Sequence, residues 1–329
     1  MCTEKKVGII GLGKYLPDNR LTNADLERMV DTTDEWITQR TGIKERRIAS
    51  DHTATSDMAL EAAKNALKNA HLKVADIDLI IVATITPDMF FPSTASIVQD
   101  RLGAVNIAAF DINVACSGFV YGLVIGSQFI KTGMYRHVLV VGAEKMSSVV
   151  DWTDRSTCVL MGDGAGAAVL GEVKEGGILS SYLGADGSKG DLLKMPAGGS
   201  RIPATIKSVE AKLHFMKMEG NELFKYAVRL MANAAEKVIT PLGLKGDDID
   251  IVIPHQANIR ILNAVAKKMG IDPAKKVYLN IEKYGNMSAA SSAVALAEAV
   301  EEGRIKKGNI ILMDAFGAGL TWGALIIKW

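Results

Sequence analysis

Apolar residues along the chain follow two recurring patterns. Short continuous runs, Ile77-Asp-Leu-Ile-Ile-Val-Ala-Thr and His137-Val-Leu-Val-Val-Gly-Ala-Glu, predict strands buried on both faces. Between such runs lie stretches with apolar positions at helical spacing. Residues 56–70 are alanine-rich and predict an amphipathic helix, and residues 94–101 predict another. Thr22-Asn-Ala-Asp-Leu-Glu predicts a side-chain-capped helix start. Residues 34–47 are dense in charge around Trp36 and by pattern alone read as a solvated loop. Residues 110–126 behave differently. A short apolar strand reaches Cys116 and continues as a helix that is apolar on nearly every side, which predicts a buried helix.

From about Gly177 the order of elements restarts. A helix over residues 221–239 precedes Asp248-Ile-Asp-Ile-Val-Ile, as the helix at 56–70 precedes Asp76-Ile-Asp-Leu-Ile-Ile. Val277-Tyr-Leu-Asn predicts a strand leading to Asn286 and a helix that ends near Gly303. Counted back from Gly303 and Gly133, Asn286 and Cys116 fall at the same offset. Each half closes with an apolar strand, a glycine-rich turn and a final strand, at residues 162–170 and 317–327. The pattern predicts an α/β protein with an internal duplication, in halves 1–174 and 175–329. The two helices that follow Cys116 and Asn286 are lined with small residues, Gly118, Gly122 and Gly126 on one and Ser288 to Ala293 on the other. Such helices can pack closely at a pseudo-two-fold axis, which brings Cys116 and Asn286 to one site.

Composition narrows the function. The net charge of +1 gives no global case for nucleic acid or a membrane surface. Three dispersed cysteines, Cys2, Cys116 and Cys158, make no disulfide framework, and no CxxC, HExxH or paired-histidine spacing suggests a metal site. The first residues lack the apolar core of a signal peptide, so a soluble cytoplasmic setting is expected. Gly11 and Gly13 hint at a dinucleotide loop, but Leu16 and Pro17 stand where that fingerprint needs glycine and a helix. A cysteine at a helix N-terminus is expected to have a lowered pKa and to act as a nucleophile. His255 follows the buried strand Ile251-Val-Ile-Pro, at the end where open α/β sheets place ligands.

Cys116 in Asn-Val-Ala-Cys-Ser-Gly, His255 in Pro-His-Gln-Ala-Asn-Ile-Arg and Asn286 in Tyr-Gly-Asn-Met-Ser-Ala-Ala together resemble the Cys-His-Asn triad of the beta-ketoacyl-acyl carrier protein synthase III family. The likeness extends to Asp34-Glu-Trp-Ile, Arg40-Thr-Gly-Ile, Gly162-Asp-Gly-Ala-Gly and Ala315-Phe-Gly-Ala-Gly-Leu-Thr-Trp-Gly. It implies a thiolase-like α-β-α-β-α fold, a homodimer, and condensation of a short acyl-CoA, most simply acetyl-CoA, with malonyl-acyl carrier protein. Coenzyme A is then a substrate, and no cofactor is needed.

By the same resemblance, Trp36 and Arg155 would sandwich the adenine, with Thr32 and Arg40 at the nucleotide end. Phe91 would reach into the partner's acyl pocket and favour short primers. Lys225, Arg260, Lys267 and Lys268 would receive the acidic carrier protein, the last three from one face of one helix. The backbone N–H groups of Cys116 and Ala318 would form the oxyanion hole. Ala318 departs from the family's usual Gly-Gly-Gly, so its backbone must suit a residue with a Cβ. The rival readings are a related enzyme of polyketide metabolism, a non-catalytic carrier-binding subunit and a nicotinamide dehydrogenase.

Overall fold

The computed structural model describes residues 5–329, so Cys2 lies outside the described residues. Nine strands build two sheets. The first half contributes β1 (Val7–Tyr15), β2 (Leu79–Ala83), β3 (Ala108–Ile112), β4 (Val138–Lys145) and β5 (Asp163–Glu172). They pair in the order β1-β5-β4-β2-β3, with the β4-β2-β3 part parallel. The second half contributes β6 (Gly177–Ala185), β7 (Ile251–Pro254), β8 (Ile310–Gly317) and β9 (Thr321–Lys328), in the order β7-β8-β9-β6. Read from β6 inward, this repeats the first order, since β6, β9, β8 and β7 take the places of β1, β5, β4 and β2. The predicted strand at 277 is reduced to a single parallel bridge from Val277 to Val252, at the place β3 holds in the first half.

The helices supply the remaining layers. Helix α1 (Asp34–Thr41) occupies the segment read as a loop, because the Thr33 hydroxyl caps it by accepting the Trp36 N–H. Helices α2 (Thr55–Asn69) and α3 (Thr94–Leu102) cover the outer face of the first sheet. Glycine at positions 11 and 13 serves packing, since a Cβ at Gly13 would lie 2.2 Å from the Ala62 carbonyl of α2. Helices α5 (Gly220–Ile239) and α6 (Ile259–Lys268) cover the outer face of the second sheet. Between the sheets lie α4 (Gly118–Lys131) and α7 (Ala289–Glu301), in a core that draws Phe119, Leu123, Leu296, Ile253 and Met313 from both halves. The small-residue stripes meet as expected: a Cβ on Gly118 would come within 3.3 Å of the Ala289 Cβ. The result is the α-β-α-β-α layering. Close packing of this kind converts the small residues of both helices into dispersion contacts across the axis.

Candidate active site

The N-terminal ends of α4 and α7 open on one cavity of about 520 Å³. Cys116, His255, Asn286, Ser288 and Ala318 line its polar end. Met146, Met161, Met195, Met216 and Met218 line its walls, a convergence that no spacing in the sequence signals.

Cys116 sits in a short 3₁₀ turn, Ala115–Ser117, between β3 and α4. Ala115 holds φ +47° there, a left-handed backbone that costs of order 1–3 kcal/mol and persists only where packing imposes it. Gly317, at the end of β8, presses on this turn: a Cβ there would lie 2.7 Å from the Cys116 nitrogen. The next residue, Ala318, has no positive φ, so its side chain fits and its N–H is retained. The Thr321 hydroxyl pins the two loops together, its one proton shared between the Val114 and Ala318 carbonyls at 2.9 and 3.0 Å.

The thiol departs from expectation. Burial pushes Cys116 up to about 12, and the nearby Glu144 carboxylate pushes the same way, while the Ser288 hydroxyl and the backbone pull it down. The helix end is real, but desolvation of a buried thiolate outweighs it. In the resting protein Cys116 is therefore a thiol at neutral pH.

His255 is 1% exposed and follows β7, its N–H donating to the Asp314 carbonyl at 2.7 Å. Burial lowers its pKa to about 3, so the ring is neutral, and its Nδ1 has no hydrogen-bond partner. Asn286 is fixed on both sides: its N–H donates to the Leu160 carbonyl and its own carbonyl accepts from Gly162. Its Oδ1 accepts the Ser288 N–H at 2.8 Å, which leaves the amide NH2 as the group free to donate.

The other candidate residues do not line this cavity. The Arg155 guanidinium stacks 4.8 Å from the Trp36 ring centre and that of Arg40 lies at 5.6 Å, so the three form one cationic aromatic cluster. Arg155 is held by the Asp31 carbonyl at 2.7 Å, and the neighbouring Thr32 hydroxyl is buried without a partner. Lys225, Arg260, Lys267 and Lys268 are exposed on α5 and α6. Arg260 lies over the ring of Phe224, which lines the cavity, so this basic face borders the mouth. Phe91 is 85% exposed and is not part of its own chain's cavity. Among the described residues no cluster of three or more His, Cys, Asp or Glu could hold a metal ion, and no helix is long and apolar enough to cross a membrane.

The layering and the paired halves define a thiolase-like protein, and its relatives make it an acyltransferase of the condensing type. Residues 110–187 match the family described as 3-Oxoacyl-[acyl-carrier-protein (ACP)] synthase III, and residues 239–329 match its C-terminal part. A Beta-ketoacyl-[acyl-carrier-protein] synthase III of Caldanaerobacter subterraneus subsp. tengcongensis is 62% identical over 100% of this chain and 99% of its own. The crystal structure of 3-oxoacyl-[acyl-carrier-protein] synthase III from Aquifex aeolicus VF5 superposes with a TM-score of 0.91 at 51% identity, covering 98% of this chain and 100% of that one. The priming beta-ketosynthase of the R1128 polyketide pathway shares the fold, with a TM-score of 0.92, at 35% identity over 98% of this chain and 96% of its own. The chain belongs to the 3-oxoacyl-[acyl-carrier-protein] synthase III family.

Proposed function

We propose that the protein primes fatty acid synthesis by joining a short acyl-CoA, best represented by acetyl-CoA, to malonyl-acyl carrier protein. The observation that carries this reading is the convergence of Cys116, His255 and Asn286 on one cavity from three separate parts of the chain. Cys116 attacks the thioester carbonyl, and the N–H groups of Cys116 and Ala318 receive the oxyanion; each such donor is worth about 3–4 kcal/mol in the transition state. Coenzyme A leaves and the acyl group stays on sulfur. His255 and Asn286 then donate to the malonyl thioester oxygen as carbon dioxide departs. The resulting carbanion attacks the acyl-cysteine to give the 3-oxoacyl product. A neutral histidine and an amide suit this role, because neither gains or loses charge between pH 5 and 8.

Labour is divided between the halves 1–174 and 175–329: the first supplies the nucleophile and the second supplies the two donors. The Trp36, Arg40 and Arg155 cluster, with Thr32, takes the nucleotide end of coenzyme A. The basic face of Lys225, Arg260, Lys267 and Lys268 takes the acidic carrier protein. Exposed Phe91, beside exposed Phe90 and Met89, is covered by a second copy of the chain in a cytoplasmic homodimer. Coenzyme A is a substrate, and the reaction as written uses no further cofactor.

The test is intact-protein mass after incubation with acetyl-CoA. One acetyl adduct is expected, absent in Cys116→Ala and discharged by malonyl-acyl carrier protein. Loading only from longer or aromatic acyl-CoAs would favour the polyketide reading. No adduct from any acyl-CoA in folded protein would overturn the covalent mechanism.

A further inference from the structure

Arg46 is fully buried and takes no part in the reaction as written. We propose that it is a positioning residue that holds two groups in register, the cluster of Trp36, Arg40 and Arg155 on one side and Asn286 on the other. The inference rests on the reading of that cluster as the nucleotide site and of Asn286 as a donor to the malonyl thioester.

Arg46 lies in a two-stranded ribbon, Arg20–Thr22 against Glu45–Arg47. Its guanidinium forks. Nη2 donates to the Val159 carbonyl at 2.8 Å. Nη1 donates to Asn23 Oδ1 at 2.9 Å and to the Leu21 carbonyl at 3.1 Å. Each arm leads to a different group. Val159 follows the helical turn Arg155–Cys158 and precedes the residues that hold Asn286. The Leu160 carbonyl accepts the Asn286 N–H at 2.8 Å, and the Gly162 N–H donates to the Asn286 carbonyl at 3.0 Å. Asn23 extends the other arm, its Nδ2 donating at 2.7 Å to Oδ1 of Asp34 on α1, the helix that carries Trp36 and Arg40. The ribbon is also docked on the chain before Asn286, since the Lys44 N–H donates to the Glu282 carbonyl at 3.0 Å. The stem of Arg46 fills the space between these segments: a Cβ on Gly162 would lie 3.1 Å from the Arg46 Cβ, and one on Gly285 would lie 3.4 Å from it.

Packing alone does not ask for a cation here. A buried charge is costly unless it is paired. Among the described residues no carboxylate pairs with Arg46: Glu45 is turned to Arg20, Asp25 to Thr22 and Arg28, and Asp34 to Asn23 and Thr38. The acceptors of Arg46 are two carbonyls and an amide, all neutral. A methionine would fill the space without that cost. What arginine supplies is a rigid planar fork that reaches acceptors on two separate segments at once. Lysine, one ammonium on a flexible stem, cannot hold both in fixed geometry.

The experiment compares the full chain with Arg46→Lys. Hydrogen exchange, read by mass spectrometry, needs no turnover. Peptides covering residues 155–162 and 281–290 should exchange about tenfold faster in the variant, while residues 108–118, on the backbone ladder of β3, should stay within about twofold. In kinetics, KM for acetyl-CoA should rise and malonyl decarboxylation should fall, each by about tenfold, since a full 1 Å misplacement costs about 100-fold. Acyl loading from S-acetyl-N-acetylcysteamine, a thioester without a nucleotide, should stay within about twofold, because Cys116 is held by its own strand. Equal slowing with both acyl donors, or exchange that rises uniformly or not at all, would overturn the proposal and leave Arg46 a residue of the general core. Arg46→Met keeps the volume and removes the fork, so it should show the same pattern, and it decides alone if the lysine variant does not fold. A wild type that takes no acetyl group from acetyl-CoA would count against the proposed function, and the exchange pattern would still decide whether Arg46 ties the two groups together.

Discussion

The turns at Cys116 and Asn286 occupy matching places in the two halves but are held by different means. The first is reached from β3, a strand with five backbone partners on β2, from Leu79 opposite Ala108 to Ala83 opposite Ile112. The second is reached from residues 277–280, which make one backbone bridge and then leave the sheet. A side chain takes over there. Buried Gln256, next to His255, donates to the Pro254 and Tyr278 carbonyls at 3.0 and 3.1 Å and accepts the Asn280 N–H at 3.2 Å. Asn280 and Tyr284 then donate to Glu298 on α7, at 2.9 and 2.6 Å. Cys116 is thus positioned by a backbone ladder, which no side-chain change removes. His255 and Asn286 are positioned by a polar network, which one substitution can break. A partly satisfied network is worse than none, because each orphaned buried group carries its full desolvation cost.

Three experiments sharpen or break this contrast. The largest effect is expected for Gly317→Ala. The added Cβ has no room against the Cys116 nitrogen, and a displacement approaching 1 Å costs about 100-fold in rate. Acyl loading, measured by single-turnover mass spectrometry, should fall by that factor; a loss below threefold would show that the Cys116 turn yields more easily than its ladder suggests. Next comes Gln256→Ala, which orphans two carbonyls and one N–H. Urea unfolding should show a loss of about 3 kcal/mol. Malonyl decarboxylation should slow more than acyl loading does. Equal slowing of both half-reactions would mean the network serves the whole fold and not the placement of His255 and Asn286.

The smallest effect is in the pH dependence of stability. His255 is lowered to about 3 from an ordinary 6.5, so between those values the unfolded chain binds a proton that the folded chain does not, and stability falls as the pH drops through that window. Glu144 is raised to about 7 from 4.5, so the folded chain holds the extra proton between those values, and stability falls as the pH rises through them. The two slopes oppose each other between about pH 4.5 and 6.5. Below that overlap the histidine's effect continues alone, and His255→Gln should flatten the loss of melting temperature on acidification. Glu144→Gln should flatten the loss on approaching pH 7. Unchanged slopes in either variant would mean that the group is better solvated than its burial implies.

The periodic elements were legible in the chain. The buried run at β2, the amphipathic repeat at α2 and the equal offsets of Cys116 and Asn286 all follow from residue order, because burial on one face or two writes itself into local hydrophobicity. So did the residue types at the centre of the site, through their motifs. Other features were not local. The charged stretch at α1 became a helix through its Thr33 cap and its packing of Ile37 into a core. The apolar segment at 277 lost its strand to a glutamine side chain from another element. Most of all, the state of Cys116 could not be read from its place before a helix. Its high pKa comes from desolvation and from Glu144, distant in sequence and adjacent in space. What residue order alone determined is the repeat, the layers and the set of reactive side chains. What only the tertiary structure decided is which of them carries the proton, because protonation depends on solvent exclusion and on neighbours brought together by the fold.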